Sequence, residues 1–318
     1  MYEKIVIVTR KTRLDELIAR FNSRGQAKFY IEHSGGDFTE YQQEDDEYRR
    51  SLELLKHHLD TDLKVQIIDR EFVPNFIFDK TDIIVVLGQD GLVANTAKYV
   101  GDQPIIGVNP DPKRIDGILV PVLVPTVKRH VDLVVENRAH YSSVTLAEAI
   151  LNDGQRLLAF NDLFIGARSH VSARYSLSYG NDCEQQSSSG IIVATGAGST
   201  GWLSSIFNMV NSVSQFMGGE QIGSFRLNPE DPSLFFVVRE PFISKHSSAK
   251  VVAGRLGELV IESRMPQGGT IFSDGVEADS IAFDAGLIAR IHPAKQHARL
   301  VQNDVAVNGL QRKALVRA

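Results

Sequence analysis

An unbroken apolar run, Ile83-Ile84-Val85-Val86-Leu87, constrains the architecture more than any other stretch of the chain. Rich in β-branched residues, it reads as a strand buried on both faces, and such a strand needs cover on both sides of its sheet. It ends in Gly88-Gln89-Asp90-Gly91, after which Leu92, Val93, Ala94, Ala97 and Tyr99 suit a helix running back across the sheet. Asp90 is thereby set at a strand-to-helix turn. Open α/β sheets bind ligands at such turns, because the helix N-terminus offers unpaired N–H groups and partial positive charge to an anion. The pattern favours phosphate chemistry.

The flanking sequence extends this picture. Residues 4–8 read as a first strand, followed by Leu14, Leu17, Ile18 and Phe21 at helical spacing, with Gly25 as a stop. Lys28 to Ile31 is predicted as a short strand, His33 to Asp46 as a loop, and Glu47 to Leu59 as a helix with Leu52, Leu55 and Leu59 on one face. The acidic group Glu44 to Glu47 falls at the start of that helix, where the macrodipole favours negative charge. Val65 to Ile68 and Pro104 to Asn109 supply further strands. Strands alternating with helices argue for a parallel α/β domain, predicted over residues 1–123 and closing near Pro121 and Pro125. Thr126 to His140 is expected to be extended.

From about residue 141 the texture changes to short apolar runs separated by Gly, Ser, Asn and Pro. They are residues 157–160, 173–177, 190–194, 234–238, 250–252 and 258–261. This spacing predicts a β-rich domain of hairpins or stacked sheets over residues 124–318, interrupted by a helix over Leu203 to Val213. The segment after about residue 291 alternates only weakly and is free to return to the first domain.

Composition narrows the class of protein without naming a partner. With 318 residues and a formal net charge of −5, the chain has no global attraction to nucleic acid or to an anionic membrane. The single cysteine, Cys183, forms no internal disulfide and suits a reducing compartment. The adjacent His57 and His58, and the five-apart His292 and His297, lack metal-ligand spacing, so no protein-held metal site is expected. The apolar segment after Met1 is too short for a signal peptide and no run approaches the length of a membrane span, so a soluble cytoplasmic protein is expected.

Two further stretches join Asp90 as candidates for chemistry. Asn161-Asp162 follows the run Leu157 to Phe160, placing an amide and a carboxylate at a strand end, where they could bond ribose hydroxyls or merely form a turn. Thr195-Gly196-Ala197-Gly198-Ser199-Thr200-Gly201-Trp202 combines three glycines, three hydroxyls and an aromatic after a strand. Such a loop lets backbone approach a ligand while hydroxyls supply hydrogen bonds, although a flexible connector has a similar composition.

In this order the three stretches resemble the motifs of the NAD kinase family: GGDG, an Asn-Glu pair, and approximately TPTGSTAY. Similarity extends to Gly107-Val108-Asn109 through Pro112, to Arg239-Glu240-Pro241, and to Gly268-Gly269-Thr270 with Ser273-Asp274-Gly275. It covers roughly residues 82 to 283 and is greatest to the divergent branch that includes the mitochondrial-type NAD kinases of animals. The resemblance implies a Rossmann-like α/β domain and a β-sandwich-like domain, with the active site in the cleft between them. It implies transfer of the γ-phosphoryl group of ATP to the 2′-hydroxyl of the adenosine ribose of NAD, with Mg²⁺ as cofactor and a homodimer as the assembly.

By the same resemblance, Asp90 accepts or orients the hydroxyl's proton, and Gly88 and Gly91 admit the phosphates. Asn161 and Asp162 hold the dinucleotide, Thr195, Gly198, Ser199 and Thr200 line its adenine and ribose, and Trp202 takes the place of a Tyr. Asp274 with Gly275 reads as a hairpin turn. Four residues depart from the family pattern: Gln89 for the second glycine, Leu92 for a Thr, Asp162 for Glu, and Trp202 for Tyr. A side chain at position 89 would need φ below zero or would intrude on the phosphate path. Gln89 and Leu92 motivate an alternative, a catalytically weak or inactive protein that binds NAD or NADP. A lipid or sphingoid kinase, which shares the GGDG architecture, is a third reading.

Overall fold

The computed structural model describes residues 1–303, apart from Ile222, Ser224 and His246. The chain divides into two compact units, Met1–Ser142 with the described residues from Arg299 on, and Ser143–Ala298. The division therefore falls after residue 142 rather than after residue 123. The segment between them, expected to be extended, is largely helical.

In the first unit, β1 (Lys4–Thr9) leads to α1 (Arg13–Phe21), α2 (Arg24–His33) and α3 (Phe38–His58). Then come β2 (Lys64–Asp69), β3 (Asp82–Leu87), α4 (Asp90–Ala97), β4 (Pro104–Asn109), the short β5 (Val122–Leu123) and α5 (Val127–Val135). The strands pair in parallel in the order β2-β1-β3-β4-β5, and Arg299 and Leu300 also pair with β4 in parallel. Every residue of β3 is buried, as its apolar run required. Ile83, Val85 and Leu87 pack with Tyr48, Leu55 and Leu59 of α3 and with Val127, Val131 and Val134 of α5. Leu92, Val93, Ala94 and Ala97 of α4 are buried as well.

Three expectations fail here, each for a physical reason. Lys28 to Ile31 lies inside α2, where Ser23 caps the first turn and only Ala27 and Ile31, four apart, are buried. One-sided burial outweighs the β propensity of Phe29, Tyr30 and Ile31. The predicted loop before Glu47 is the first half of α3, capped by Asp37 and buried at Phe38, Asp45, Tyr48, Ser51 and Leu55. Polar members of that stripe concealed its helical period. The acidic group consequently lies in mid-helix rather than at a helix start, and side-chain partners hold it: Glu44 pairs with Arg10 and Arg13, Asp45 with Arg49, and Glu47 with Arg50. In α5, Val127, His130, Val131 and Val134 form the buried face, so a β-branched sequence adopts helix because its period is 3.6.

The second unit begins with β6 (Tyr141–Leu151), whose first two residues belong to the first unit, followed by β7 (Arg156–Ala159), β8 (Asp162–Ala167), β9 (Ala173–Tyr179), β10 (Asp182–Ser188) and β11 (Ile191–Ala194). It continues with α6 (Trp202–Phe216), β12 (Leu234–Val238), β13 (Ala253–Leu256), β14 (Leu259–Ser263), β15 (Gly269–Ser273), β16 (Val276–Ala282) and β17 (Ile288–Val301). The strand expected at residues 250–252 thus starts at Ala253. One antiparallel sheet runs β13-β12-β11-β8-β15-β16, and a second set pairs β10-β9-β14-β17 with β6 and β7 alongside. Alternate residues from both, among them Ile165, Ile191, Phe236 and Ile271 on one side and Ala147, Leu177, Ile261 and Ile291 on the other, share a single core. This is a sandwich-like arrangement. Among the described residues, no helix is long and apolar enough to cross a membrane.

Candidate active site

The first cluster lies where β3 gives way to α4. Gln89 is the N-cap, with φ −98° and ψ 168°, ordinary extended backbone, so the side chain that replaces the family's glycine sits without strain. Its side chain is exposed and makes no cap bond. Neither Gly88 nor Gly91 has positive φ, and a Cβ at Gly91 would meet open space. Their smallness leaves room rather than permitting an unusual conformation. Leu92, at the family's Thr position, turns into the core.

Asp90 is half-buried, and a neighbouring loop holds its carboxylate: Ile118 N–H donates to Oδ2 at 3.2 Å and Leu119 N–H to Oδ1 at 2.8 Å. The loop can pass this close because of Gly107, where a Cβ would lie 2.0 Å from the Leu119 carbonyl oxygen. Asn109 fixes the approach, accepting from Asp111 N–H at 2.9 Å and donating to the Ile115 carbonyl at 2.9 Å. Each Asp90 oxygen keeps acceptor capacity beyond its one amide, so an oriented carboxylate is presented for a further proton.

The second cluster belongs to the other unit and is built around the start of β8. Asp274 and Gly275 form the two-residue turn between β15 and β16, with φ 53° and 70°, as the hairpin reading required. Asp274 has a second task. Its carboxylate accepts from the backbone N–H groups of Phe160 at 3.1 Å, Asn161 at 2.6 Å and Asp162 at 3.3 Å. It thereby fixes the strand end that carries the Asn-Asp pair. The Asn161 amide and the Asp162 carboxyl have no hydrogen bond of their own among the described residues. Asp162 is buried, and burial together with the adjacent Asp274 charge pushes its carboxyl up to about 7.

The loop from Thr195 to Trp202 behaves differently from expectation. Thr195 and Ser199 are buried and bond the chain itself: Thr195 Oγ1 donates to the Phe160 carbonyl at 2.6 Å and accepts from Gly198 N–H at 3.1 Å, while Ser199 Oγ donates to the Gly196 carbonyl at 2.7 Å and accepts from Leu227 N–H at 3.1 Å. Their hydroxyls are fasteners, not groups held out to a ligand. Gly198 serves the same end, since a Cβ there would lie 2.0 Å from the Asn161 carbonyl oxygen. Thr200 remains exposed. Trp202, the first residue of α6, stacks on Phe164 at 5.7 Å and on Phe272 at 6.4 Å, with the Arg239 guanidinium 5.4 Å from its ring.

These aromatics and Arg239 line a cavity of about 940 Å³ that also receives Arg168 and Glu240. Phe164, Phe272 and Arg168 were missed as site residues. Period-two alternation along Leu163-Phe164-Ile165 and Ile271-Phe272-Ser273 places both phenylalanines opposite the core face, which was the available signal. Among the described residues, no group of three His, Cys, Asp or Glu side chains could hold a metal ion.

An α/β unit with an acid at the C-terminal end of β3, joined to a sandwich-like unit, is the two-domain architecture of the NAD kinases. An NAD kinase from Archaeoglobus fulgidus, solved in complex with ATP, shares this fold, superimposing with a TM-score of 0.54 at 18% identity and covering 98% of each chain. Yeast NADH kinase, solved with NADH, superimposes with a TM-score of 0.53 at 16% identity, covering 95% of this chain and 84% of its own. No family model matches the sequence. In sequence the chain is similar to NAD kinase 2, mitochondrial, of Xenopus tropicalis, 23% identical over 381 aligned positions that cover 91% of this chain and 87% of the relative. The chain is thus similar in sequence to one NAD kinase and shares the fold of two solved members of that group.

Proposed function

We propose that the chain is a phosphotransferase that moves the γ-phosphoryl group of ATP to the 2′-hydroxyl of the adenosine ribose of NAD, yielding NADP. The similarity to NAD kinase 2 over 91% of the chain carries this reading, since a fold alone does not specify an activity. The chemistry of both clusters supports it. Asp90 would take the hydroxyl's proton as the phosphoryl group arrives, its orientation set by the amides of Ile118 and Leu119. Asn161 can both donate to and accept from ribose hydroxyls, and Asp162, protonated about half the time near pH 7, can donate as well as accept. Trp202 offers a stacking face for a base. Mg²⁺ belongs to the same proposal: it would enter with the donor phosphates and help to spread their charge. Homodimerisation is part of it on the family resemblance, and sedimentation equilibrium tests it. A reducing compartment, the cytoplasm in this reading, suits the single exposed thiol of Cys183.

Purified chain incubated with NAD, ATP and Mg²⁺ should form NADP, read by an NADP-specific dehydrogenase. Dinucleotide binding without NADP above background would replace this reading with that of a binding protein. Phosphorylation of a sphingoid base but not of NAD would replace it with that of a lipid kinase.

A further inference from the structure

The parallel sheet of the first unit ends in an open edge. In the order β2-β1-β3-β4, β2 pairs with β1 alone, and of its residues Lys64-Val65-Gln66-Ile67-Ile68-Asp69 only Ile68 is buried. Natural sheets blunt their edges with proline, a bulge, inward charges or a covering element. β2 has no proline and follows β1 without a break in register. Val65 and Ile67 lie beside Ile5 and Ile7, on the face that packs against Tyr48, Leu55 and Leu59 of α3, yet they are 42% and 43% exposed. The core stops one strand short of the edge.

The outward-facing backbone belongs to the same two residues. Lys64 N–H turns inward and donates to the Glu3 carbonyl at 3.3 Å. Alternation along the ladder therefore turns the N–H and C=O of Lys64, Gln66 and Ile68 toward β1 and those of Val65 and Ile67 away from it. Each outward residue offers a donor, an acceptor and an apolar side chain to whatever lies alongside.

We propose that β2 pairs antiparallel with β2 of a second copy of this chain, across a two-fold axis at Gln66, so that one sheet continues through both copies. Such an axis is normal to the sheet and keeps each face on its own side, so side chains of the same face meet. Val65 then faces Ile67 of the second copy, and Ile67 faces its Val65. Each pair exchanges both backbone hydrogen bonds and covers the exposed apolar side chains. Charge selects this register. Asp62 and Arg70 stand just beyond the two ends of β2, both exposed and neither in an ion pair among the described residues. With the axis at Gln66, Asp62 lies opposite Arg70 of the second copy; with the axis at Ile67, Lys64 would meet Arg70, and with it at Val65, Asp62 would meet Ile68. A strand with this two-fold complementarity fits its own copy better than an unrelated extended peptide. The pairing rests on no assigned activity and adds to any contact made elsewhere on the chain, so its test reads β2 itself.

A single strand pair is a small interface and associates weakly, so amide exchange followed by NMR is compared at about 10 µM and about 500 µM chain. The outward amides of Val65 and Ile67 should exchange about three-fold more slowly at the higher concentration, while those of Gln66 and Ile68, already bonded to β1, should change little. Sedimentation equilibrium over the same range should show the mass doubling. Ile67→Pro removes an outward N–H and spares the β1 ladder, so it should abolish the doubling with the circular dichroism of the fold retained. Ile67→Lys, which keeps the backbone intact, should weaken association about ten-fold. Asp62→Arg should weaken it about three-fold, and adding Arg70→Asp should restore it. Exchange at Val65 and Ile67 that is independent of concentration would overturn the proposal, even if the chain associates, because the contact would then lie elsewhere. Association undiminished by both substitutions at Ile67 would overturn it as well, and a charge swap that fails to restore association would overturn the register.

Discussion

Asp90 and Asp162 each stand at the edge of a buried strand, and the two units treat them in opposite ways. Asp90 is half-exposed and receives one backbone amide on each oxygen. Asp162 is buried, receives none among the described residues, and lies beside a second carboxylate, Asp274, that takes the local amides instead. Burial beside a like charge favours a protonated carboxyl. The first environment orients a carboxylate by its two amides, and the second suits a group that holds its proton up to about pH 7 and can donate it to a sugar or phosphate oxygen. In the proposed reaction, two aspartates of identical chemistry would thus take different tasks because of their surroundings.

The largest way to break this comparison is at Asp90. Asp90→Asn should lower NADP formation by roughly 10²–10⁴-fold, the usual worth of a positioned base, with NAD affinity nearly unchanged; steady-state rates and a binding titration check it. Retained turnover would remove Asp90 from proton transfer.

Gly198→Ala forces a Cβ to within 2.0 Å of the Asn161 carbonyl oxygen and should cost about 3 kcal/mol or more in denaturant unfolding, with loss of NAD binding. A small cost would show that the loop can yield. Asp274→Ala should cost about 2–4 kcal/mol by stranding the three amides at Phe160, Asn161 and Asp162, while Asp274→Asn, which tolerates positive φ and keeps an acceptor, should cost less.

The Asp162 carboxyl sharpens the comparison through pH. Its proton is released near 3.8 when unexposed to the fold's influence and near 7 in the folded chain, so between those values the folded state holds the extra proton. The contribution of this group to stability should therefore fall as pH rises from about 4 to about 7, by roughly 3–4 kcal/mol, and Asp162→Asn should remove that contribution from the pH dependence in denaturant titrations. The smallest effect is expected at Gln89→Gly. With φ already at −98°, glycine relieves no strain, and the greater freedom of the unfolded chain should cost only about 0.5–1 kcal/mol. A gain in stability would mean that Gln89 is strained after all.

How much of this was legible in the sequence depended on whether burial wrote itself as an apolar pattern. The runs in β3 and β4 are buried on both faces and could be read directly. The start of α3 could not, because its buried face includes Asp45 and Ser51, and α5 was hidden by valines that suit strands better than helices. At the site, residue types and order disclosed Asp90, Asn161 and Asp162 as candidates. They did not disclose that Thr195 and Ser199 spend their hydroxyls inside the chain, or that Asp274 clamps the strand end as well as making its turn. Nor did they reveal that Glu44 is shared by Arg10 and Arg13, residues more than thirty positions away. Partners of that kind are set by tertiary approach, which no local spacing records.

The division of labour between the two aspartates is tested most directly by the Asp162 carboxyl itself. In chain labelled with ¹³C at aspartate Cγ, the resonance assigned by its loss in Asp162→Asn should titrate with a midpoint near 7. A midpoint near 3.8 would show a carboxylate that is charged throughout the neutral range and would contradict the account.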